Sequence, residues 1–233
     1  IAEDSAGTIW VGTYLGGLNR LREDGSFERI EHDPERPDSL RSTTVISLAA
    51  DASGRLWIGT DLGLDVRETD GRIVHVALPP FEGRAENLSI GSLRAQDDGS
   101  MLVGTDFGVA RVAADLLAVE GIVDLPSRMP TMAMISAAAD RYWIGTTGGL
   151  LHLTGSEQHR YGGSDALPGE LPSARVMDVL RDREGGLWVA MFDAGIARLP
   201  ARWKNFAVWR HRPGQANSLL HTQTEAISVA ADG

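Results

Sequence analysis

Short apolar runs, each cut off by Gly, Pro or Asp, follow one another along the whole chain and are too brief for most helices. Five segments align: Asp4-SAGTIWVGTYLGGLNRL, Asp51-ASGRLWIGTDLGLDV, Asp97-DGSMLVGTDFGVARV, Asp140-RYWIGTTGGLLHL and Asp182-REGGLWVAMFDAGIARL. Their shared large apolar position is held by Trp10, Trp57, Leu102, Trp143 and Trp188, at spacings of 47, 45, 41 and 45 residues. That period is longer than a helical tetratricopeptide repeat and matches one blade of a propeller. An earlier apolar strand precedes four of the aligned copies, at Thr44-VISLAA, Leu88-SIGSLRAQ, Thr131-MAMISAAA and Ala174-RVMDVLR, and a further one stands at Thr224-EAISVAA.

Each repeat therefore predicts strand A, a tight Asp-x-x-Gly turn, strand B (Trp-Ile-Gly-Thr), a Gly-containing turn, strand C, and a variable strand D such as Ser26-FERIEH. The expected fold is all-β, a β-propeller of four-stranded antiparallel blades with about five blades present. The expected blades are 1–40, 41–86, 87–130, 131–173 and 174–223, with a further one starting at 224–233, all within one propeller region, 1–233. Strand B is apolar on both faces, as a sheet sandwiched between two others requires. Gly12, Gly59, Gly104 and Gly145 lie two residues after the indole position and are expected to make room for the neighbouring blade. Ala190 replaces that glycine in the fifth copy, and the fourth lacks the turn glycine. Ile1, in place of Met, and a strand A at both ends suggest a longer array in the natural chain.

A formal charge of −10 argues against broad attachment to nucleic acid or to an anionic membrane surface. The absence of Cys excludes disulfides, thiol catalysis and cysteine-held metals. No apolar run approaches the roughly 20 residues of a membrane span, so any membrane link is expected through parts outside this segment. His-Glu-x-x-His, Gly-x-Ser-x-Gly, P-loop and dinucleotide fingerprints are all missing, and no metal, cofactor or catalytic residue is assigned.

The repeating Trp and Asp residues are read as packing and turn-forming positions. Candidate chemistry lies instead on the B–C turns, where loops share one face of a propeller: Tyr14, Asp61, Asp106, Phe107, Thr147, Phe192 and Asp193. Aromatic faces beside carboxylates suit a sugar, by stacking on its apolar face and by accepting hydroxyl hydrogen bonds. Trp203, Phe206 and Trp209 form a separate cluster, read as shielding the fifth blade's edge.

The consensus seen from Asp51 to Leu64, together with the lead-ins His32-DPERPDSL and His211-RPGQANSL, resembles the two-component regulator propeller repeat. The resemblance implies a seven-bladed propeller in the extracytoplasmic, periplasmic part of a bacterial membrane receptor, with a histidine kinase or diguanylate cyclase output. It further implies a ligand such as an oligosaccharide, neighbouring propeller or receptor domains as partners, and a possible dimer. A dimerisation scaffold and a carbohydrate-active lyase or glycosidase are the alternatives. His32 and His211 are expected to make structural hydrogen bonds within the lead-in.

Overall fold

The computed structural model describes residues 1–81, 88–116, 118–125, 128–138, 141–155, 157–162, 171–201, 207–221 and 223–228. Trp203, Phe206 and Asp140 lie outside the described residues. The described residues contain no helix and form five four-stranded antiparallel sheets, each in A-B-C-D order. By internal packing the chain divides into two compact units, residues 1–131 and 132–233.

The first unit holds three blades. Blade 1 comprises β1 (Ala2–Glu3), β2 (Ile9–Gly12), β3 (Leu18–Leu21) and β4 (Phe27–Ile30). Blade 2 comprises β5 (Val45–Ala50), β6 (Leu56–Thr60), β7 (Gly63–Arg67) and β8 (Ile73–Val76). Blade 3 comprises β9 (Ile90–Ala95), β10 (Met101–Thr105), β11 (Gly108–Val112) and β12 (Val119–Asp124). Every residue of β6 and β10 is buried, as their two-sided apolar sequence requires.

The second unit holds the other two blades. Blade 4 is β13 (Thr131–Ala138), whose first residue ends the preceding unit, β14 (Arg141–Thr146), β15 (Gly149–Thr154) and β16 (Glu157–Tyr161). Blade 5 is β17 (Val176–Arg181), β18 (Leu187–Met191), β19 (Gly195–Leu199) and β20 (Ala207–Trp209).

The A–B turns explain why Asp and Trp recur six residues apart. In blade 2 the Asp51 Oδ1 accepts the amides of Ser53 (2.9 Å) and Arg55 (3.1 Å), closing the turn. Its Oδ2 accepts the Trp57 indole N–H at 2.8 Å. Asp4 does the same for Trp10 at 2.8 Å, and Asp182 for Trp188 at 2.9 Å. A buried indole N–H without an acceptor would cost about 1–3 kcal/mol, so the turn carboxylate is part of the core's bonding as well as a turn former. Gly7, Gly54, Gly99 and Gly185 close these turns with φ between +80° and +86°, a conformation that disfavours any side chain.

The third copy corrects the sequence alignment at one point. Gln96, and not Asp97, occupies the first turn position: its amide bonds Ser100 O (2.9 Å), and its carbonyl accepts Gly99 N (3.0 Å). Six residues on stands Leu102, whose side chain has no N–H to satisfy. In this copy carboxylate and indole are both absent, whereas the fourth copy keeps Trp143 with Ala137 six residues before it.

Within each unit, neighbouring blades pack through these large residues. Trp10 joins Leu56, Ile58 and Ile73 of blade 2, and Trp57 joins Met101, Val103 and Val112 of blade 3. In the second unit Trp143 packs against the cluster of Val176, Val179, Leu187 and Val189. A fully buried indole removes roughly 200 Å² from water, contributing on the order of 5 kcal/mol before entropic costs. Trp143 and Trp188 are only half-buried: Trp143 stacks on His152 at 4.0 Å, and Trp188 on Trp209 at 5.3 Å. Trp209 thereby covers blade 5's indole while remaining 45% exposed itself.

Three of the strand-B glycines, Gly12, Gly59 and Gly145, do make room for the next blade. A Cβ on Gly12 would lie 2.5 Å from Val45 Cγ1, one on Gly59 2.7 Å from Ile90 O, and one on Gly145 2.6 Å from Val176 Cγ1. Strand A bulges near its start in β5 and β17, between Val45 and Ser47 and between Val176 and Asp178. Such bulges bend a strand and re-aim its side chains close to the B–C turns.

Candidate functional site

The B–C turns share a closure. A Thr ends strand B and donates its hydroxyl to the carbonyl of the Gly that begins strand C: Thr60 to Gly63 (2.9 Å), Thr105 to Gly108 (2.9 Å) and Thr146 to Gly149 (2.8 Å). Thr13 to Gly17 (3.0 Å) is the same bond across a turn one residue longer. Three of the turns, in blades 1, 3 and 5, are also fastened to the chain that links one blade to the next. Val45 N donates to Thr13 O (3.0 Å), Met129 N to Asp106 O (2.9 Å) and Phe192 N to Arg175 O (3.0 Å). Turns and connections therefore form one stiff end on each unit.

The connections are themselves folded. His32 Nδ1 meets Leu40 O at 2.6 Å, and the Ser39 hydroxyl accepts Asp33 N (2.9 Å) while donating to Asp33 O (2.9 Å). The same bonds recur around His211, Leu219, Ser218 and Arg212, at 2.6 to 3.1 Å. Both histidines are thus structural, as expected from the lead-in motif. The first connection is further held by blade 2: the fully buried Asp65 accepts Arg41 N (2.8 Å) and meets His75 Nδ1 (2.6 Å), and His75 Nε2 meets Pro37 O (2.9 Å).

On the first unit, the turn-bearing end presents Tyr14 and Leu15 from blade 1, 82% and 66% exposed, and Leu62 from blade 2, 42% exposed. Leu15 adopts φ +61°, a left-handed backbone that costs a branched side chain about 1 kcal/mol. Beside Leu62, Asp61 is half-buried, and its Oδ1 is shut from solvent with no donor among the described residues. Asp106 is buried, and its carboxylate accepts Ser89 N (3.2 Å) and Arg128 Nε (2.9 Å), so it is spent on holding connections. Phe107 turns inward, 6% exposed, into the apolar cluster around Trp57 and Phe81, and its ring is not offered at the surface.

On the second unit, Thr147 is half-buried in its turn. Phe192 lies beneath the Arg175 guanidinium, 4.7 Å from it, and the exposed Asp193 accepts the Ser173 hydroxyl. The residues expected to bind thus fall into two groups. Tyr14 and Asp61 have free faces or atoms, whereas Asp106, Phe107, Phe192 and Asp193 are engaged with protein neighbours. The strained, exposed Leu15 was missed in the sequence, although the extra residue in that turn is visible there.

The turn carboxylates show where charge is tied down. Burial alone would raise the Asp51 carboxyl, but hydrogen bonds from Ser53, Trp57 and Arg55 outweigh it and hold it below the usual carboxylate value. Asp4 and Asp182 are lowered by the same balance, burial opposed by the indole and backbone donors and, for Asp182, by Arg198. Among the described residues, no three His, Asp or Glu stand close enough to hold a metal ion, and no helix is long and apolar enough to cross a membrane.

The family profile of the two component regulator propeller matches residues 39–61, which run from the first connection through strands A and B of blade 2. The fold is similar to that of the extracellular domain of BT4673, described as a one component system, from B. thetaiotaomicron. That match has 18% identity over 85% of this chain and 26% of the other, with a TM-score of 0.72. The extracellular domain of the hybrid two component system BT3049 from the same organism matches at 22% identity over 95% of this chain and 29% of the other, with a TM-score of 0.70. Virginiamycin B lyase from Staphylococcus aureus matches at 13% identity over 91% of this chain and 69% of the other, with a TM-score of 0.64. These likenesses carry the propeller fold alone, and the chain spans between a quarter and a third of the two extracellular domains. No curated protein matches the sequence.

Proposed function

For a chain built on the two-component regulator propeller repeat, we propose the role of a ligand-sensing, non-catalytic module in the extracytoplasmic part of a bacterial membrane signalling receptor. The periplasm is the compartment that fits, with a kinase or cyclase output elsewhere in the receptor. The likeness to extracellular domains of one- and two-component systems supports this reading.

One observation carries the placing of the ligand: among the described residues Asp61 holds a buried carboxylate oxygen with no donor, on the end of the unit where Tyr14, Leu15 and Leu62 stand exposed. An unmet buried acceptor costs about 1–3 kcal/mol, and a ligand hydroxyl that reaches it through a small shift of the turn would relieve it. The exposed phenol ring of Tyr14 offers an apolar face to the same ligand. A small polyhydroxylated molecule such as an oligosaccharide fits both demands. Binding there would bias the output only through different affinities for two receptor states.

A thermal-shift and calorimetric screen of the protein against polysaccharide fragments tests the reading. A hit should bind saturably, and both Tyr14→Ala and Asp61→Asn should weaken it. Unchanged affinity in both variants, or no hit across neutral and acidic fragments, would remove the reading.

A further inference from the structure

Arg67 stands at the end of β7, where the equivalent strand-C residues of the other blades are Leu21, Val112, Leu153 and Leu199. Packing alone fills this position with an aliphatic side chain four times in five, and blade 2 puts a guanidinium there. The group lies over the Trp10 ring at 4.9 Å, and its Nη2 lies against Gly71, where an added Cβ would approach to 3.2 Å. Among the described residues its Nε is buried with no hydrogen-bond partner, and Nη1 donates one long bond, 3.5 Å, to Glu68 O. Burial first, and then the nearby Arg20 charge, push Arg67 below the ordinary arginine value.

Arg67 also lines a cleft of about 610 Å³ between strand D of blade 1, the first connection and the C–D hairpin of blade 2. The cleft's other charged side chains are two arginines and four carboxylates, and each is held by a partner of its own. Arg29 pairs with Glu31 (3.6 Å), Arg36 with Asp38 (3.2 Å), and Glu28 leans out to Arg22 (3.7 Å). Asp33 accepts Glu35 N at 3.0 Å. Arg67 and the exposed Arg72 are left, and neither has a carboxylate within 4.0 Å among the described residues.

We infer that this cleft is an anion site: a carboxylate, sulfate or phosphate group docks between blades 1 and 2, with Arg67 as its principal counter-charge and Arg72 at the rim. Guanidinium groups match such oxyanions in a planar, two-donor geometry, and a partly desolvated guanidinium loses less hydration on pairing than an exposed one. The site is separate from Asp61 and Tyr14, so either can fail without the other.

Titration calorimetry at constant ionic strength, with sodium sulfate, phosphate, glucuronate and glucose as probes, tests it. Saturable binding of at least one anion and none of glucose is expected. A preference for glucuronate places the anion on a sugar, and equal binding of all three marks a site for the free anion. Arg67→Leu places the aliphatic residue of three other blades at this position, and should weaken binding roughly tenfold or more. Arg72→Gln, on an exposed side chain, should weaken it by a smaller factor and guards against misfolding of the first variant. No saturable anion binding, or equal affinity in both variants and the parent, would overturn the inference.

Discussion

Thr131→Val should stabilise the protein, although it removes a polar group that most interior substitutions would be expected to miss. Thr131 is fully buried, and its Oγ1 has no hydrogen-bond partner among the described residues. It begins strand A of its blade, where the matching residues of blades 2 and 5 are Val45 and Val176. Valine has the same shape, so no cavity or clash is created. Removing an unmet hydroxyl and adding a buried methyl should together gain about 1–2 kcal/mol. For a chain of this size that is roughly 2–4 °C in Tm per kcal/mol. Urea titration followed by tryptophan fluorescence gives the stability directly. Thr60→Val is the matched control: this hydroxyl is also fully buried, but it donates to Gly63 O (2.9 Å) and accepts Leu62 N (3.2 Å). The same change there should cost about 1–3 kcal/mol. Opposite signs are therefore expected from one chemical edit. A loss of stability in Thr131→Val equal to that in Thr60→Val would refute the reasoning.

Four other substitutions at three positions follow from the same geometry. Asp51→Ala should cost about 3–5 kcal/mol in urea titration, because it strips the acceptor from Trp57 and leaves Arg55, only 12% exposed, without its partner. As the folded Asp51 carboxyl is lowered, its stabilisation is complete above the unfolded value of about 3.9 and is lost as pH falls through the lower folded value; Asp51→Asn should flatten that part of the acid limb. Gly59→Ala should cost about 1–3 kcal/mol or more, measured by thermal melting, since its Cβ would sit 2.1 Å from Ser47 Oγ and 2.7 Å from Ile90 O. Leu15→Gly should raise stability by roughly 0.5–1 kcal/mol through relief of its φ of +61°, while weakening any ligand held at the turn-bearing end.

The strands were legible because their signal is local and repeated: a Trp, a Gly two residues later, and an Asp-x-x-Gly turn just before. What pairs with what across a seam was less so. The third turn shows the difference, since Asp97 and Asp98 both resemble the recurring Asp, and only the backbone bonds of Gln96 decide the register. Phe107 looked like a surface aromatic because it stands in a turn. Its ring is drawn inward by Phe81 and Trp57 of the preceding blade, an effect that lies outside its own repeat. Asp61 and Tyr14 were named from residue type and turn position, and the structure supplies what these could not: one buried oxygen without a donor among the described residues and one ring left bare. Arg67 was overlooked even though its signal is in the alignment, an Arg among Leu and Val. Its meaning depends on the cleft it faces, which no single repeat contains.

The account rests on blades 1 to 3 packing face to face through Trp10 and Trp57, whose N–H groups are bound by the turn carboxylates Asp4 and Asp51. Hydrogen exchange of the indole N–H signals in D₂O, read by two-dimensional NMR, probes that arrangement most directly. The Trp57 indole, fully buried and bonded to Asp51 at 2.8 Å, should outlast any solvent-facing indole by orders of magnitude, and Asp51→Ala should abolish that protection at Trp57 while sparing Trp10. Exchange of the Trp57 N–H at the rate of free indole in the parent protein would contradict the account.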